Sequence, residues 1–164
     1  MMTRDELMPF CSGKDDLRLV LHQPWSRGEY TFATNGHILV RVARLPEVAE
    51  NEEAPKAEPM FVKAAAAPEN WMPVPVATMP PDESCPECHG AGVAECSMGF
   101  DHDCEWCDHT GKVKVRVGTP VGDASFDVGY LSLIQGWEIS PNGKEPARIR
   151  NGEATGLLMP RSRP

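Results

Sequence analysis

Four cysteines carry the clearest chemistry in this sequence. Cys85/Cys88 and Cys104/Cys107 form two C-x-x-C pairs separated by fifteen residues, a spacing expected of a zinc site. Zinc takes four ligands at the corners of a tetrahedron, with each sulfur roughly 2.3 Å away. Two residues between paired cysteines let one tight turn aim both sulfurs at a single ion, and the long insert brings the second pair back from the other side. Pro86 fixes one backbone angle in the first turn, while Gly90, Gly92 and Gly111 permit the left-handed backbone such turns need. One Zn2+ held by Cys85, Cys88, Cys104 and Cys107 is therefore expected. His89, His102, His109 and Cys96 are near enough in sequence to replace a thiolate, although an exposed loop position accounts for each. Disulfides or free thiols are the competing reading, which the paired spacing disfavours. Four thiolates would close the metal shell, whereas a catalytic zinc keeps an open position.

The first pair lies in CPECHGAG, a CxxCxGxG repeat. The second, CEWCDHTG, keeps the last glycine and has His109 where the first would be. Over residues 85–111 this resembles the cysteine-rich zinc module of the DnaJ type. That family carries four repeats and two zinc ions, so two repeats imply one ion here. No J-domain His-Pro-Asp signature occurs in the sequence, so the resemblance does not extend to a co-chaperone.

Charge narrows the partners. The chain has a formal net charge of −8. Between Asp82 and Asp108 there are eight acidic residues and no lysine or arginine, which accounts for the whole imbalance. A phosphate backbone is bound by lysine and arginine neutralisation, so this module is expected to brace the fold or to dock a basic protein rather than read DNA. The opening residues MMTRDELMPF lack the apolar core of a signal peptide, and no apolar run is long enough to span a bilayer. Six cysteines, four of them in C-x-x-C pairs, then point to the reducing cytoplasm, with Cys11 as a small buried apolar residue.

The elements that must position this module fall on either side of it. Thr3 and Glu6 have the spacing of a capping box at the start of a short helix over 3–11. LRLVLH (17–22), EYTFAT (29–34) and HILVRV (37–42) read as strands, the last two joined at Asn35-Gly36, a hairpin signal in which both residues are expected at positive φ. Residues 46–84 form a proline-rich acidic connector, with nine of the sixteen prolines between Pro46 and Pro86. An extended path is expected there, with one strand near 60–63 and with Trp71 and Met72 anchoring it. After the zinc module, KVKVRV (112–117) alternates as a strand does. Residues 124–135 have Phe126, Tyr130, Leu133 and Ile134 at helical spacing, with Ser125 as the cap. Residues 136–140, 147–150 and 154–159 follow as strands, the last two as a second hairpin around Asn151-Gly152.

The two flanks, 1–45 and 112–164, thus share an order of helix and three strands, which suggests an internal duplication. The fold class expected is α+β, two βαβββ-like halves forming one layered domain with the zinc module inserted at 85–111. That order, together with LRLVLHQPWSRGEYTFATNGHILVRV (17–42) and FDVGYLSLIQGWEIS…ARIRNGEATGLLMPRSR (126–163), resembles one domain of the bacterial DNA polymerase sliding clamp. The first segment matches the clamp run Ala-Thr-Asp-Gly-His-x-Leu through Ala33, Thr34, Asn35, Gly36, His37 and Leu39, with Asn for Asp. The second matches its closing Met-Pro-Met-Arg-Leu through Met159, Pro160 and Arg161. In clamps these motifs contribute to a pocket for short peptides of polymerases and other replication proteins. The resemblance therefore implies a partner site at Thr34, Gly36, His37, Leu39, Met159, Pro160 and Arg161, whereas core packing and a plain turn are the bland reading of the same residues. A clamp ring needs six such domains, so a ring would require this chain to form a homo-oligomer.

Three function classes are consistent with parts of the sequence. The leading one is a non-enzymatic, clamp-like zinc protein that docks replication or repair proteins. The second is direct nucleic-acid binding through Lys112, Lys114 and Arg116, which alternate along one strand, with Arg148, Arg150, Arg161 and Arg163; against it, lysines commonly protect a solvated strand edge. The third is an enzyme, for which no phosphate loop, nucleophile elbow or HExxH motif is present.

Overall fold

The computed structural model describes residues 1–162, which divide into two compact units: Met1–Ala77 with the chain from Gly118 onward, and Thr78–Val117. In chain order the elements are α1 (Arg4–Leu7), β1 (Trp25–Arg27), β2 (Tyr30–Thr34), β3 (Ile38–Ala43), α2 (Glu58–Ala65), β4 (Met72–Pro73), β5 (Glu83–Ser84), β6 (Val93–Glu95), β7 (Asp101–Asp103), β8 (Lys112–Val113), β9 (Gly118–Val121), β10 (Ala124–Asp127), α3 (Val128–Leu133), β11 (Glu138–Asn142), β12 (Glu145–Arg150) and β13 (Ala154–Leu158).

The first unit is an α+β body built on one antiparallel sheet in the order β1-β2-β3-β13-β12-β11-β4. Two three-stranded meanders meet in its middle, where β3 pairs β13 from Val42↔Ala154 to Ile38↔Leu158. Each meander follows a short helix, although the first begins at Trp25 rather than in the stretch 17–22 expected as its first strand. Alternation along the strands sends residues to opposite faces. Ile38, Val40 and Val42 join Leu7, Phe10, Leu131 and Ile134 on one side. Leu39, Phe32 and Leu157 join Trp25, Ala57 and Phe61 on the other. Both faces are covered, which is why HILVRV reads as a nearly continuous apolar run.

Local chemistry explains the elements that form as expected. Thr3 and Glu6 make the capping box of α1. The β2–β3 turn is present, but only Gly36 has positive φ (92°). Asn35 instead turns the chain with its side chain: Oδ1 accepts from the N–H groups of His37 (2.9 Å) and Ile38 (3.1 Å), an Asx turn. Asn151 does the same for Glu153 and Ala154 between β12 and β13.

Four segments differ from expectation. Residues 17–22 form a 3-10 turn over Leu19–Leu21. Asp16 holds it, accepting from the Arg18 N–H (2.9 Å) and guanidinium (2.7 Å), a local bond that competes with a strand ladder; Leu17 and Leu19 stay exposed. The connector is not simply extended. It forms α2 where a strand near 60–63 is expected, because Ala57, Phe61 and Ala64 make one helical stripe against the sheet. Pro59 falls in the first turn, where its missing N–H costs nothing. KVKVRV is a strand only at Lys112–Val113. The register Glu83↔Val113 would place Pro81 and Pro80 opposite Val115 and Arg116, and prolines cannot donate to a ladder. Residues 124–127 are a strand, paired with β9; α3 starts only at Val128, capped by Asp127 Oδ1 accepting from Gly129 N–H at 2.8 Å rather than by Ser125.

Trp71 and Met72 do anchor the connector. Met72 pairs with Ile139, and the guanidinium of Arg150 lies 4.0 Å from the Trp71 ring centroid. No helix of the described residues is long and apolar enough to cross a membrane.

Candidate functional site

The second unit places its four cysteine sulfurs within 4.8 Å of one another, all four residues buried. Cys85 and Cys104 sulfurs are 3.9 Å apart and those of Cys88 and Cys107 are 3.7 Å apart. These separations are nearly twice a disulfide bond, and all the cysteines are free. Sulfurs at the corners of a tetrahedron around zinc would be about 3.8 Å apart. The donor set and its spacing fit one such ion. Cys96, His89, His102 and His109 lie outside the cluster.

The two repeats build this geometry by interlocking. Cys85 N–H donates to Gly111 C=O and Cys104 N–H to Gly92 C=O, each at 2.9 Å. Within each repeat the terminal glycine N–H donates to a sulfur: Gly92 to Cys88 at 3.2 Å and Gly111 to Cys107 at 3.3 Å. Gly92 and Gly111 have φ of 78° and 73°, and a Cβ on either would strike the carbonyl oxygen of His109 or Gly90. His109, standing where the first repeat has Gly90 (φ 87°), also has positive φ, at 51°. Here the departure from the glycine pattern keeps the left-handed sign of the backbone angle.

The protonation chemistry suits a cation. Burial opposes ionisation of the Cys88 thiol, but the Gly92 N–H and the three neighbouring sulfurs outweigh it and bring the group down to about 7. Burial pushes the Cys107 thiol up to about 12. Metal binding to such thiols releases their protons.

In the body, five of the seven residues expected to form a partner site converge. Thr34, Gly36, His37, Leu39 and Met159 line one apolar cavity of about 190 Å³. Two observations fix that wall: Thr34 Oγ1 bonds Ile38 C=O at 2.6 Å, and Met159 N–H donates to His37 C=O at 2.9 Å. Pro160 and Arg161 line a second groove beside Asp123 and Ser125, which shares Met159 with the cavity, and there Arg161 N–H bonds Ser125 C=O.

The cavity also has walls that sequence reading missed. Leu21 and Trp25 come from the turn-and-strand stretch, and Ala57 and Met60 from α2. The signal for α2 was present in the spacing of Ala57, Phe61 and Ala64, but the surrounding prolines masked it. Arg18 stands at the rim, its guanidinium on Asp16 at 2.7 Å and reaching Asn35 C=O at 3.4 Å. That guanidinium and two further Asp16 bonds, from Arg18 N–H and Ser12, hold the Asp16 carboxyl well below the usual carboxylate range.

Lys112, Lys114 and Arg116 are exposed, but only Lys112 belongs to a strand. Arg148 and Arg150 are engaged: Arg148 donates to Ala67 and Pro68 carbonyls, and Arg150 stacks on Trp71 and bonds Glu138. Arg163 lies outside the described residues.

No protein-family model matches the chain, and no curated protein matches it significantly.

Proposed function

We propose that this chain is a non-enzymatic docking protein of the DNA replication or repair machinery, with a clamp-like body and a zinc-braced lobe. The observation that carries the reading is the convergence of Thr34, Gly36, His37, Leu39 and Met159 on one apolar cavity. Two stretches more than a hundred residues apart in sequence supply it, and these are the residues that the clamp resemblance marks as receiving peptides. A volume of about 190 Å³ takes roughly one large apolar side chain, whose burial is worth about 2–3 kcal/mol. The cavity would thus anchor a short segment at one position, with the remaining affinity coming from contacts around its rim.

The metal would be zinc, held by Cys85, Cys88, Cys104 and Cys107. Four thiolates complete a tetrahedron, so the ion's contribution is to fold rather than to chemistry. Gly92 and Gly111 hold the ligands through their N–H···S bonds, as outer partners of a metal site commonly do.

A panel of fluorescent peptides taken from DNA polymerases and other replication proteins tests the docking reading. At least one is expected to bind and to lose tenfold or more in affinity with Met159→Lys, which places a charge at the cavity mouth. No binder in the panel, or binding indifferent to Met159→Lys, would overturn it. Elemental analysis separately tests the metal, with one zinc per chain expected.

A further inference from the structure

The hairpin β6–β7 of the metal lobe is an odd structure to leave in water. Its register sets Glu95 directly opposite Asp101 and Val93 opposite Asp103. Residues two apart on a strand share a face, so Glu95, Asp101 and Asp103 crowd one side of a two-stranded ribbon. Like charges directly opposite each other destabilise a strand pair, and a lone hairpin has little stability to spare. No lysine or arginine lies between Asp82 and Asp108. Among the described residues, neither Glu95 nor Asp101 joins an ion pair, and Asp103 meets only His109, at 3.5 Å.

The tip of the same hairpin is apolar and open. It is tied by Cys96 N–H to Phe100 C=O and by Gly99 N–H to Cys96 C=O, each at 2.9 Å. Yet Met98 is 78% exposed and Phe100 68% exposed. The tip could have been built from polar residues without disturbing those backbone bonds. Exposed apolar groups thus stand beside a row of carboxylates without lysine or arginine partners.

We propose that this hairpin docks a basic segment of a partner protein, one carrying lysine or arginine beside bulky apolar side chains. The cations sit against Glu95, Asp101 and Asp103 and relieve their repulsion; the apolar side chains cover Met98 and Phe100. The charge row repels nucleic acid and anionic membrane alike, which leaves a cationic polypeptide as the complementary surface. This site is independent of the cavity in the body, and neither needs the other to be correct.

The test uses the full metal-loaded chain and two fluorescein-labelled probes: a peptide alternating lysine with leucine, and its counterpart with glutamate for every lysine. The lysine peptide is expected to bind and the glutamate peptide is not. Met98→Ser/Phe100→Ser and Glu95→Gln/Asp101→Asn should each weaken binding tenfold or more, with metal content per chain unchanged. The charge pair should also raise the melting temperature, because repulsion is removed. If either double variant loses its metal, Met98→Ser alone, in the turn outside both strands, should still weaken binding threefold or more. Absence of binding, equal binding of both probes, or loss through the carboxylates with none through Met98 and Phe100, would overturn the proposal; the last would mean mere attraction between opposite charges.

Discussion

At the scale of single residues, the six cysteines separate into three chemical classes. Cys11 is partly buried, and burial pushes its thiol up to about 11. Cys96 bonds to the Met98 and Phe100 N–H groups, which hold its thiol below the usual range. The other four face one another. Thiolates, not thiols, react with alkylating agents. Brief iodoacetamide treatment of the metal-loaded chain at pH 7.5 should therefore label Cys96 first and leave Cys11 unlabelled, with the four clustered cysteines protected until a chelator is added. Peptide mass mapping reads this directly, and early labelling of Cys85 or Cys107 would contradict a filled site. Gly111 gives a second residue-scale prediction. Its φ of 73° and the Gly90 carbonyl against it leave no room for a side chain. Gly111→Ala should weaken metal retention against a competing chelator by tenfold or more, with the body's melting transition unmoved.

The clustering of the four cysteines was legible from spacing alone, because the geometry of a metal site dictates such spacing. The cavity was only half legible. Thr34, Gly36, His37, Leu39 and Met159 stand in recognisable runs, whereas Trp25, Leu21 and Met60 reach the cavity only through tertiary packing. Pro160 and Arg161 line a neighbouring groove for a related reason: the chain after β13 turns to bond Ser125, and nothing in the run Met-Pro-Arg foretells that turn.

At the scale of elements, Arg41 decides whether the connector is part of the body. Its guanidinium lies 3.9 Å from the Phe61 ring centroid and 4.4 Å from that of Tyr30, and it meets both Glu58 oxygens at 2.8 Å. Glu58 is half exposed, so the ion pair itself contributes little. The stacked, mostly covered guanidinium is worth about 2 kcal/mol. Arg41→Ala should cost roughly that amount in denaturant unfolding, and Arg41→Lys should recover little, since an ammonium neither stacks nor forks. Full recovery by lysine would mean that charge alone fixes α2. Composition hid this helix, because proline content speaks against long helices and α2 has only eight residues. The same limit applies to 124–135, where apolar spacing suited a helix throughout, but pairing with β9 claimed the first four residues.

At the scale of the whole molecule, the connector closes the sheet at both ends. Near its start, Ala49 C=O accepts from Ser26 N–H at 2.9 Å and Asn51 N–H donates back to Ser26 at 3.3 Å, covering the outer side of β1. Near its end, β4 covers β11 with two residues, one of them Pro73. Capped edges are how sheets avoid joining their neighbours. A ring assembled strand to strand is therefore disfavoured, and light scattering should give a single species at 18.0 kDa; a hexamer would refute this. The helix-then-meander order was readable in the second flank; in the first, the strand expected at 17–22 is a turn and Trp25–Arg27 takes its place, and the central β3–β13 pairing was not readable, because periodicity within a strand says nothing about its partner. Metal removal gives the second test at this scale. Chelation should abolish the Thr78–Val117 fold, which is held chiefly by four sulfurs, while the body, with its own two apolar cores, melts as before.

The pairing of Ser84 with Lys112 has an engineering consequence. Within the lobe it sets the residues on either side of the 85–111 segment next to each other, so that segment leaves and rejoins the chain at one strand pair. A loop whose ends already meet adds little closure entropy however long it grows. That segment can thus be treated as a cartridge: trimmed to a short turn across that doorway, or exchanged for another small module with adjacent termini, it should leave the host sheet intact.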